Sequence, residues 1–181
     1  MVILLFGISN VGKSVTGELL AEKMGYRFVD LDIEIIKRFS TTIEEFINKY
    51  PFIDKRSQVK GRLLKELINE NMKRTVIAVS PIYYAKNFNK LIEQEGVMAI
   101  ELQDTKEHIF ERLIFTDDND EILKDDGYKE KYKNHYLREI QQDITYTKHH
   151  TFKKIKHKYF MNNRSVEEVV DDLINLIDCN N

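Results

Sequence analysis

The sequence predicts an α/β protein, a three-layer α/β/α sandwich around a parallel sheet of about five strands. Short apolar runs, such as residues 2–6 and 75–79, are continuous rather than alternating, which is typical of strands covered on both faces. Segments with helical spacing separate these runs, and parallel strands need such crossovers. The length of 181 residues falls within the usual range of one domain, so we expect a single domain over residues 1–181.

The first half of the chain is predicted to hold two strands and three helices. The strand over 2–6 stops at Gly7, and a helix after the following loop runs to Gly25, which can end it in the left-handed conformation. Residues 26–31 are predicted as the second strand. The other two elements are a helix that begins after Thr41 or Thr42 and stops at Pro51, and a longer helix over about 53–72.

The second half repeats the alternation and contains one acidic interruption. Residues 117–127 are rich in Asp and Glu and hold few aliphatic residues, which indicates a lid excursion around 115–130 rather than core. Strands are predicted over 75–79, 97–102 and 159–161, and helices over 86–95, 106–115, 129–144 and from the cap at Ser165 through Ile177.

Composition narrows the classes of partner. The 28 basic and 30 acidic residues give a formal net charge of −2, which favours neither nucleic acid nor a membrane surface. The basic string at 148–158 is interpreted as a solvated face because it lacks interleaved aromatics. Cys179 is the one cysteine, and no apolar run approaches the length of a membrane span. We therefore expect a cytoplasmic protein, a monomer rather than an oligomer, with a small-molecule substrate.

Residues 7–14, GISNVGKS, match the phosphate-binding pattern G-x-x-x-x-G-K-S/T between a predicted strand and a predicted helix. The glycines let successive backbone N–H groups point at phosphate, Lys13 can reach the β- and γ-phosphates, and the Ser14 hydroxyl can bind Mg²⁺. The alternative interpretation of this motif is a glycine turn that matches by chance and carries a surface lysine. The predicted nucleotide-binding residues of this loop are Gly7, Asn10, Val11, Gly12, Lys13, Ser14 and Val15.

Two aspartates, Asp30 and Asp32, stand at the end of the second predicted strand, the edge where open α/β sheets bind ligands. At i and i+2 in a strand they would point to the same side. One could help to hold Mg²⁺ and the other could act as general base toward a substrate hydroxyl. Turn residues that bond their own backbone are the alternative interpretation.

The strings GISNVGKS and MGYRFVDLD together resemble the shikimate kinase family of P-loop kinases, whose fold is nucleoside-kinase-like. The resemblance implies transfer of the ATP γ-phosphoryl group to a hydroxyl, with Mg²⁺. It implies that Asp30 lies near the metal, that Asp32 holds the substrate hydroxyls and that Arg56 pairs with a substrate carboxylate. It also implies that Arg112 stacks on adenine and that the loop at 162–164, with Arg164, wraps the adenine.

The chain departs from the family in two places. Ser80 and Pro81 stand where the family has a run of glycines that contacts the substrate, so Ser80 is a candidate substitute hydrogen-bonding group or a plain turn residue. The family's lid arginine is absent from the lid stretch. Arg138 is one candidate for the family's second arginine for the substrate carboxylate, and in another alignment register Tyr132 takes that position. The candidates for the missing lid cation are Lys124, Lys129, Lys131 and Lys133.

Three hypotheses follow. The first is a kinase of shikimate kinase type, with Lys13 and Asp32 in catalytic positions. The second is a kinase of the same fold that acts on another acceptor, such as a nucleotide, a sugar or a gluconate-like acid. The third is a non-catalytic nucleotide-binding protein, which the arginine-free lid would favour.

Overall fold

The computed structural model shows a five-stranded, all-parallel sheet with strand order β2-β3-β1-β4-β5. This confirms the predicted α/β architecture. The strands are β1 (Val2–Phe6), β2 (Arg27–Asp30), β3 (Thr75–Ala78), β4 (Val97–Gln103) and β5 (His157–Phe160). The structure describes residues 1–70, 74–83, 88–115, 126–149 and 152–180.

Helices cover both faces of the sheet. Within the described ranges they are α1 (Lys13–Met24), α2 (Leu31–Phe39), α3 (Ile43–Lys49), α4 (Ile53–Glu70), α5 (Phe88–Ile92), α6 (Lys106–Glu111), α7 (Asp126–His149) and α8 (Val166–Asp178). None of these helices combines the length and the apolarity that a bilayer span needs.

Strand β1 is the central strand and divides the core in two. Its side chains alternate between the faces of the sheet: Val2, Leu4 and Phe6 pack into one cluster of buried residues, and Ile3 and Leu5 pack into the other. All five are fully buried. Burial on both faces explains why the run shows no polar alternation in sequence.

One helix, α2, was not predicted, and it changes the position of Asp32. The Asp30 carboxylate accepts hydrogen bonds from the backbone N–H groups of Asp32, at 2.9 Å, and Ile33, at 3.4 Å, so it is the N-cap of α2. Leu31 and Ile35 then bury the inner face of that helix. The expectation that both aspartates end a strand was therefore wrong for Asp32, which lies in the first turn of α2.

Three other helices differ from the predicted lengths. Helix α5 ends at Ile92 rather than at 95. Helix α6 ends at Glu111 rather than at 115, and the Lys129 ammonium donates to the carbonyl oxygens of Glu111 and Leu113, at 2.8 and 3.4 Å, where the chain leaves the helix. Helix α7 extends beyond the predicted 129–144 at both ends. Most of the predicted lid, residues 116–125 with Lys124, lies outside the described residues.

Gly7 turns the chain sharply out of β1 where no side chain fits. Its φ is +147°, and a Cβ atom built on it would lie 2.7 Å from the Leu102 carbonyl oxygen of β4 and 2.7 Å from Val11 Cγ1. Both contacts are shorter than real Cβ atoms tolerate, and one of them is with backbone. The phosphate-binding loop therefore begins at a position that only glycine suits.

We expect Gly7→Ala to lower the free energy of unfolding by about 2 kcal/mol, through backbone strain and the clash with β4, and to weaken nucleotide binding. Urea unfolding and calorimetric titration with ADP measure the two effects. Gly25→Ala is the matched control: this residue also has a positive φ, +64°, but open space around it. That variant should lose about 1 kcal/mol and keep its affinity for ADP. Equal ADP affinity in both variants would contradict the assigned role of Gly7.

Candidate active site

The loop between β1 and α1 presents an anion-binding helix end. Gly12 is the N-cap of α1 with φ +108°, and Asn10 adopts a left-handed φ of +61°. No side chain caps this helix, and its first turn holds no acidic residue. The backbone N–H groups and the positive end of the helix dipole are therefore available to a phosphate. Val15, in the same turn, is 61% exposed.

Lys13 lies folded over this loop. Its ammonium donates to the Ile8 carbonyl oxygen at 2.8 Å. Burial lowers the pKa of the Lys13 side chain to about 8, although the nearby carboxylates of Asp32 and Asp30 oppose that shift. A bound phosphate would supply further negative charge and favour the protonated ammonium.

Asp30 joins the phosphate-binding loop to β2. The Ser14 hydroxyl donates to Asp30 Oδ2 at 2.6 Å, while Asp30 Oδ1 caps α2. The two residues predicted to serve Mg²⁺ are therefore adjacent in space. A hydroxyl and a carboxylate supply hard oxygen ligands, the type that Mg²⁺ prefers. The described part of the chain holds no cluster of three or more His, Cys, Asp or Glu side chains that could form an all-protein metal site.

Asp32 lies beside the loop and forms an ion pair that the sequence analysis did not predict. The Lys60 ammonium, from α4, lies 3.2 Å from Asp32 Oδ1 and donates to the Ser80 hydroxyl oxygen at 2.8 Å. Asp32 is 42% exposed at its side chain, whereas Lys60 is 16% exposed. Ser80, just after β3, is buried. The Lys60 ammonium thus bridges Asp32 and Ser80; a role of either residue in binding a substrate stays a prediction.

Arg56 lies on α4 and is partly buried. Its Nη1 donates to the carbonyl oxygens of Tyr50, at 2.8 Å, and Pro51, at 3.0 Å, which follow α3. These bonds fix one side of the guanidinium and orient the group. A planar fork oriented in this way suits a carboxylate ligand.

Tyr83 lies near Arg56 and forms a wall on this side of the candidate site. Its backbone N–H donates to the hydroxyl oxygen of buried Ser57 at 3.1 Å, and its ring packs against Tyr146 of α7 at 5.4 Å. Burial and then Asp143 raise the pKa of the Tyr83 hydroxyl, while Arg56 lowers it. Burial, followed by Glu139, raises the pKa of the Asp143 carboxyl. Helix α7 therefore presents an acid and an aromatic ring to this wall.

Arg138, the predicted second arginine for a substrate carboxylate, is exposed on α7, and its role stays a prediction. The alternative residue in that register, Tyr132, packs on Tyr128 with the ring centroids 4.7 Å apart. The described lid lysines also have nearby partners. Lys129 binds the two carbonyl groups after α6, Lys131 lies over the Tyr132 ring at 5.0 Å, and Lys133 pairs with Glu130 at 3.2 Å.

Arg112 follows α6 and connects the phosphate-binding loop to the loop before α8. It donates to Asp104 Oδ2 at 2.5 Å, to the Val11 carbonyl oxygen at 3.4 Å and to the Asn163 side-chain oxygen at 3.4 Å. Asp104 also lies 2.7 Å from His108 Nδ1, and its side chain is fully buried. The arginine is therefore held where the predicted nucleotide-binding loops meet.

Asp104 is the organising acid of this cluster, and the sequence analysis missed it. Burial would raise the pKa of its carboxyl, but hydrogen bonds from His108 and Arg112 hold that pKa below its ordinary value. Its position directly after β4, at the same sheet edge as Asp30, was the available signal. Lys60 also left a signal, because it follows Arg56 by four residues and so shares its helix face.

Arg164 is held by α8. Its guanidinium bonds to Asp172 at 2.5 Å and to the Tyr159 hydroxyl, which itself donates to Asp172 at 2.8 Å. This pairing anchors the 162–164 loop through its last residue. A contact of the Arg164 side chain with adenine remains a prediction.

We expect the affinity for ADP to fall above about pH 8, because Lys13 then loses the charge that attracts phosphate. The protonated fraction of a group with a pKa of about 8 falls about tenfold between about pH 7 and about pH 9, and the dissociation constant should rise by that factor. Calorimetric titration across this range measures the effect. Lys13→Arg should give a flat profile because arginine stays protonated. A profile of the same slope in that variant would contradict the assignment.

We expect Asp104→Asn to lower the free energy of unfolding by about 2 kcal/mol, since it weakens charge-assisted bonds to Arg112 inside the protein. It should also weaken ADP binding, because Arg112 and the backbone N–H of Asn163, which donates to Asp104 Oδ2 at 3.4 Å, lose their common anchor. Thermal unfolding and ADP titration measure both effects. Glu107→Gln, a carboxylate-to-amide change at an exposed position of α6, is the control and should alter neither. Wild-type ADP affinity in Asp104→Asn would rule out this anchoring role.

The chain is similar to known proteins over nearly its whole length. The sequence profile described as shikimate kinase matches residues 9–178. The shikimate kinase of Persephonella marina is 34% identical over 124 residues, which cover 67% of this chain and 72% of that protein.

Solved structures show the same fold at lower identity. The crystal structure of shikimate kinase from Bacteroides thetaiotaomicron superposes with a TM-score of 0.76 at 18% identity and covers 98% of both chains. Shikimate kinase from Acinetobacter baumannii, solved in complex with shikimate, has a TM-score of 0.71 at 23% identity and covers 99% of this chain and 93% of its own. With a family profile matched over nearly the whole chain and the phosphate-binding loop in place, the chain belongs to the shikimate kinase family of ATP-dependent phosphotransferases, which act on a hydroxyl group of a small molecule.

Proposed function

We propose that this protein transfers the γ-phosphoryl group of ATP to a hydroxyl group of shikimate, with Mg²⁺. The observation that carries the proposal is the position of Asp32, a partly exposed carboxylate close enough to Lys13 of the phosphate-binding loop to influence its pKa. The complex of the Acinetobacter baumannii kinase with shikimate supports this choice of acceptor.

Ser14 and Asp30 are proposed as the protein's Mg²⁺ ligands, directly or through water. Their oxygen atoms lie 2.6 Å apart, so one ion could replace the hydrogen bond between them. Few protein ligands suffice, because Mg²⁺ keeps several waters and binds phosphate oxygens as well. When bound, the ion neutralises charge on the β- and γ-phosphates.

Residues of the chain are proposed to bind the phosphates, accept the proton and orient the acceptor. The N–H groups at the start of α1 and the Lys13 ammonium hold the phosphates in line with the acceptor. Asp32 takes the proton of the acceptor hydroxyl as that oxygen bonds to the γ-phosphorus, and the bond from this phosphorus to the β–γ bridging oxygen breaks to release ADP. Arg56 pairs with the acceptor carboxylate, which orients the ring against the wall formed by Tyr83.

Arg112 is proposed as the adenine platform. Its guanidinium is already fixed by Asp104, and fixed planar groups lose little entropy when a ring stacks on them. The single-domain organisation with a lid around 115–130, the monomeric state and the cytoplasmic location stay predictions from the sequence.

We expect purified protein with ATP and Mg²⁺ to consume shikimate, and Asp32→Asn to reduce kcat at least about 100-fold, the usual contribution of a general base. A coupled assay for ADP measures turnover against shikimate, gluconate, sugars and nucleoside monophosphates. Thermal shift with ADP checks that the variant still binds nucleotide.

Asp54→Asn is the matched control, since it makes the same change at an exposed position of α4. It should keep wild-type kcat. Preferred turnover of another acceptor would contradict shikimate as the substrate. Tight ADP binding without turnover of any acceptor would contradict the kinase proposal and favour a non-catalytic nucleotide-binding protein.

A further inference from the structure

Lys60 lies beside Asp32, in the part of the site that is proposed to bind the acceptor. No motif in the sequence marks it. It stands one helical turn after Arg56 on α4, and residues spaced by four share a helix face. Its side chain is 16% exposed, which is low for a lysine. A lysine that is this well buried needs partners for its ammonium group.

The partners of Lys60 come from two other elements. The ammonium lies 3.2 Å from Asp32 Oδ1 in α2 and 2.8 Å from the Ser80 hydroxyl oxygen after β3. Ser80 is itself buried, so its hydroxyl is a fixed anchor rather than a mobile surface group. Side chains from two other parts of the chain therefore converge on one ammonium.

Lys60 also belongs to the electrostatic environment of the phosphate-binding lysine. The carboxylates of Asp32 and Asp30 attract the Lys13 ammonium, and the Lys60 ammonium repels it. Two aspartates and one lysine thus lie within electrostatic range of Lys13, beside the phosphate-binding loop. Removing one charge from such a group changes the interaction energies of the remaining charges.

We infer that Lys60 is a positioning residue for phosphoryl transfer: anchored on Ser80, its ammonium fixes Oδ1 of Asp32 and leaves Oδ2 to take the acceptor proton. This inference rests on the proposed function. A partly exposed carboxylate can otherwise rotate about its side chain, and general-base catalysis depends on a fixed direction of approach.

The serine at position 80 acquires a role in this arrangement. Glycine at this position would offer no side-chain oxygen to Lys60, and the ammonium would have Asp32 as its one side-chain partner among the contacts described above. Lys60 and Ser80 therefore act as a pair. The Ser80 hydroxyl fixes the position of the Lys60 ammonium, and the ammonium fixes the orientation of the Asp32 carboxylate.

The test measures kcat and both KM values for Lys60→Met, in wild-type and Asp32→Asn backgrounds. We expect kcat to fall about tenfold or more while KM for ATP changes less than about twofold, because an orienting contact matters most in the transition state. In the Asp32→Asn background the same change should cause little further loss, since the group that Lys60 orients is already inactive. Lys60→Arg should recover part of the rate.

Ser80→Gly should lower kcat by a smaller factor than Lys60→Met does. Its effect on kcat should be weaker still when position 60 is already Met. Lys65→Met, on the exposed face of the same helix, is the control and should keep wild-type kcat. An unchanged kcat in Lys60→Met, or an equal loss in the Asp32→Asn background, would overturn the inference alone. A wild-type protein that phosphorylates no acceptor would overturn the proposed function, and this inference with it.

Discussion

The site depends on one carboxylate, that of Asp30, which uses its two oxygen atoms in different directions. Oδ2 accepts the Ser14 hydroxyl and so ties β2 to the phosphate-binding loop. Oδ1 accepts the first N–H groups of α2 and so fixes where that helix begins. Because Asp32 lies in the first turn of α2, its direction follows from the same contact. One side chain thereby relates the phosphate-binding loop to the proposed acceptor site.

In both the predicted nucleotide-binding part and the proposed acceptor-binding part of the site, a buried polar group fixes the orientation of a more exposed side chain. On the nucleotide side, Asp104 after β4 holds Arg112 against the phosphate-binding loop. On the acceptor side, Ser80 after β3 holds Lys60 against Asp32. Both anchors stand at the carboxyl ends of parallel strands, which open at one edge of the sheet. The rigid core thus orients side chains that would otherwise sample several rotamers.

Local signals in the sequence were sufficient for some features and misleading for others. The glycine loop was predicted correctly because its chemistry needs contiguous residues, and the cap at Ser165 because a capping box spans four residues. Helix α2 was missed because a short apolar run after a strand fits either periodicity. The end of α6 was also missed; the carbonyl groups there bind Lys129, which belongs to another helix.

The sequence by itself determined the parallel α/β class, the phosphate-binding loop at 7–14 and the family. All three rest on residue order and short-range periodicity. Tertiary structure alone decided the partners of the functional side chains: Lys60 for Asp32, and Asp104 for Arg112. The reason is geometric. Crossover helices of a parallel sheet bring residues from distant parts of the chain to one edge, and the strength of a charge pair depends on distance and burial rather than on sequence spacing.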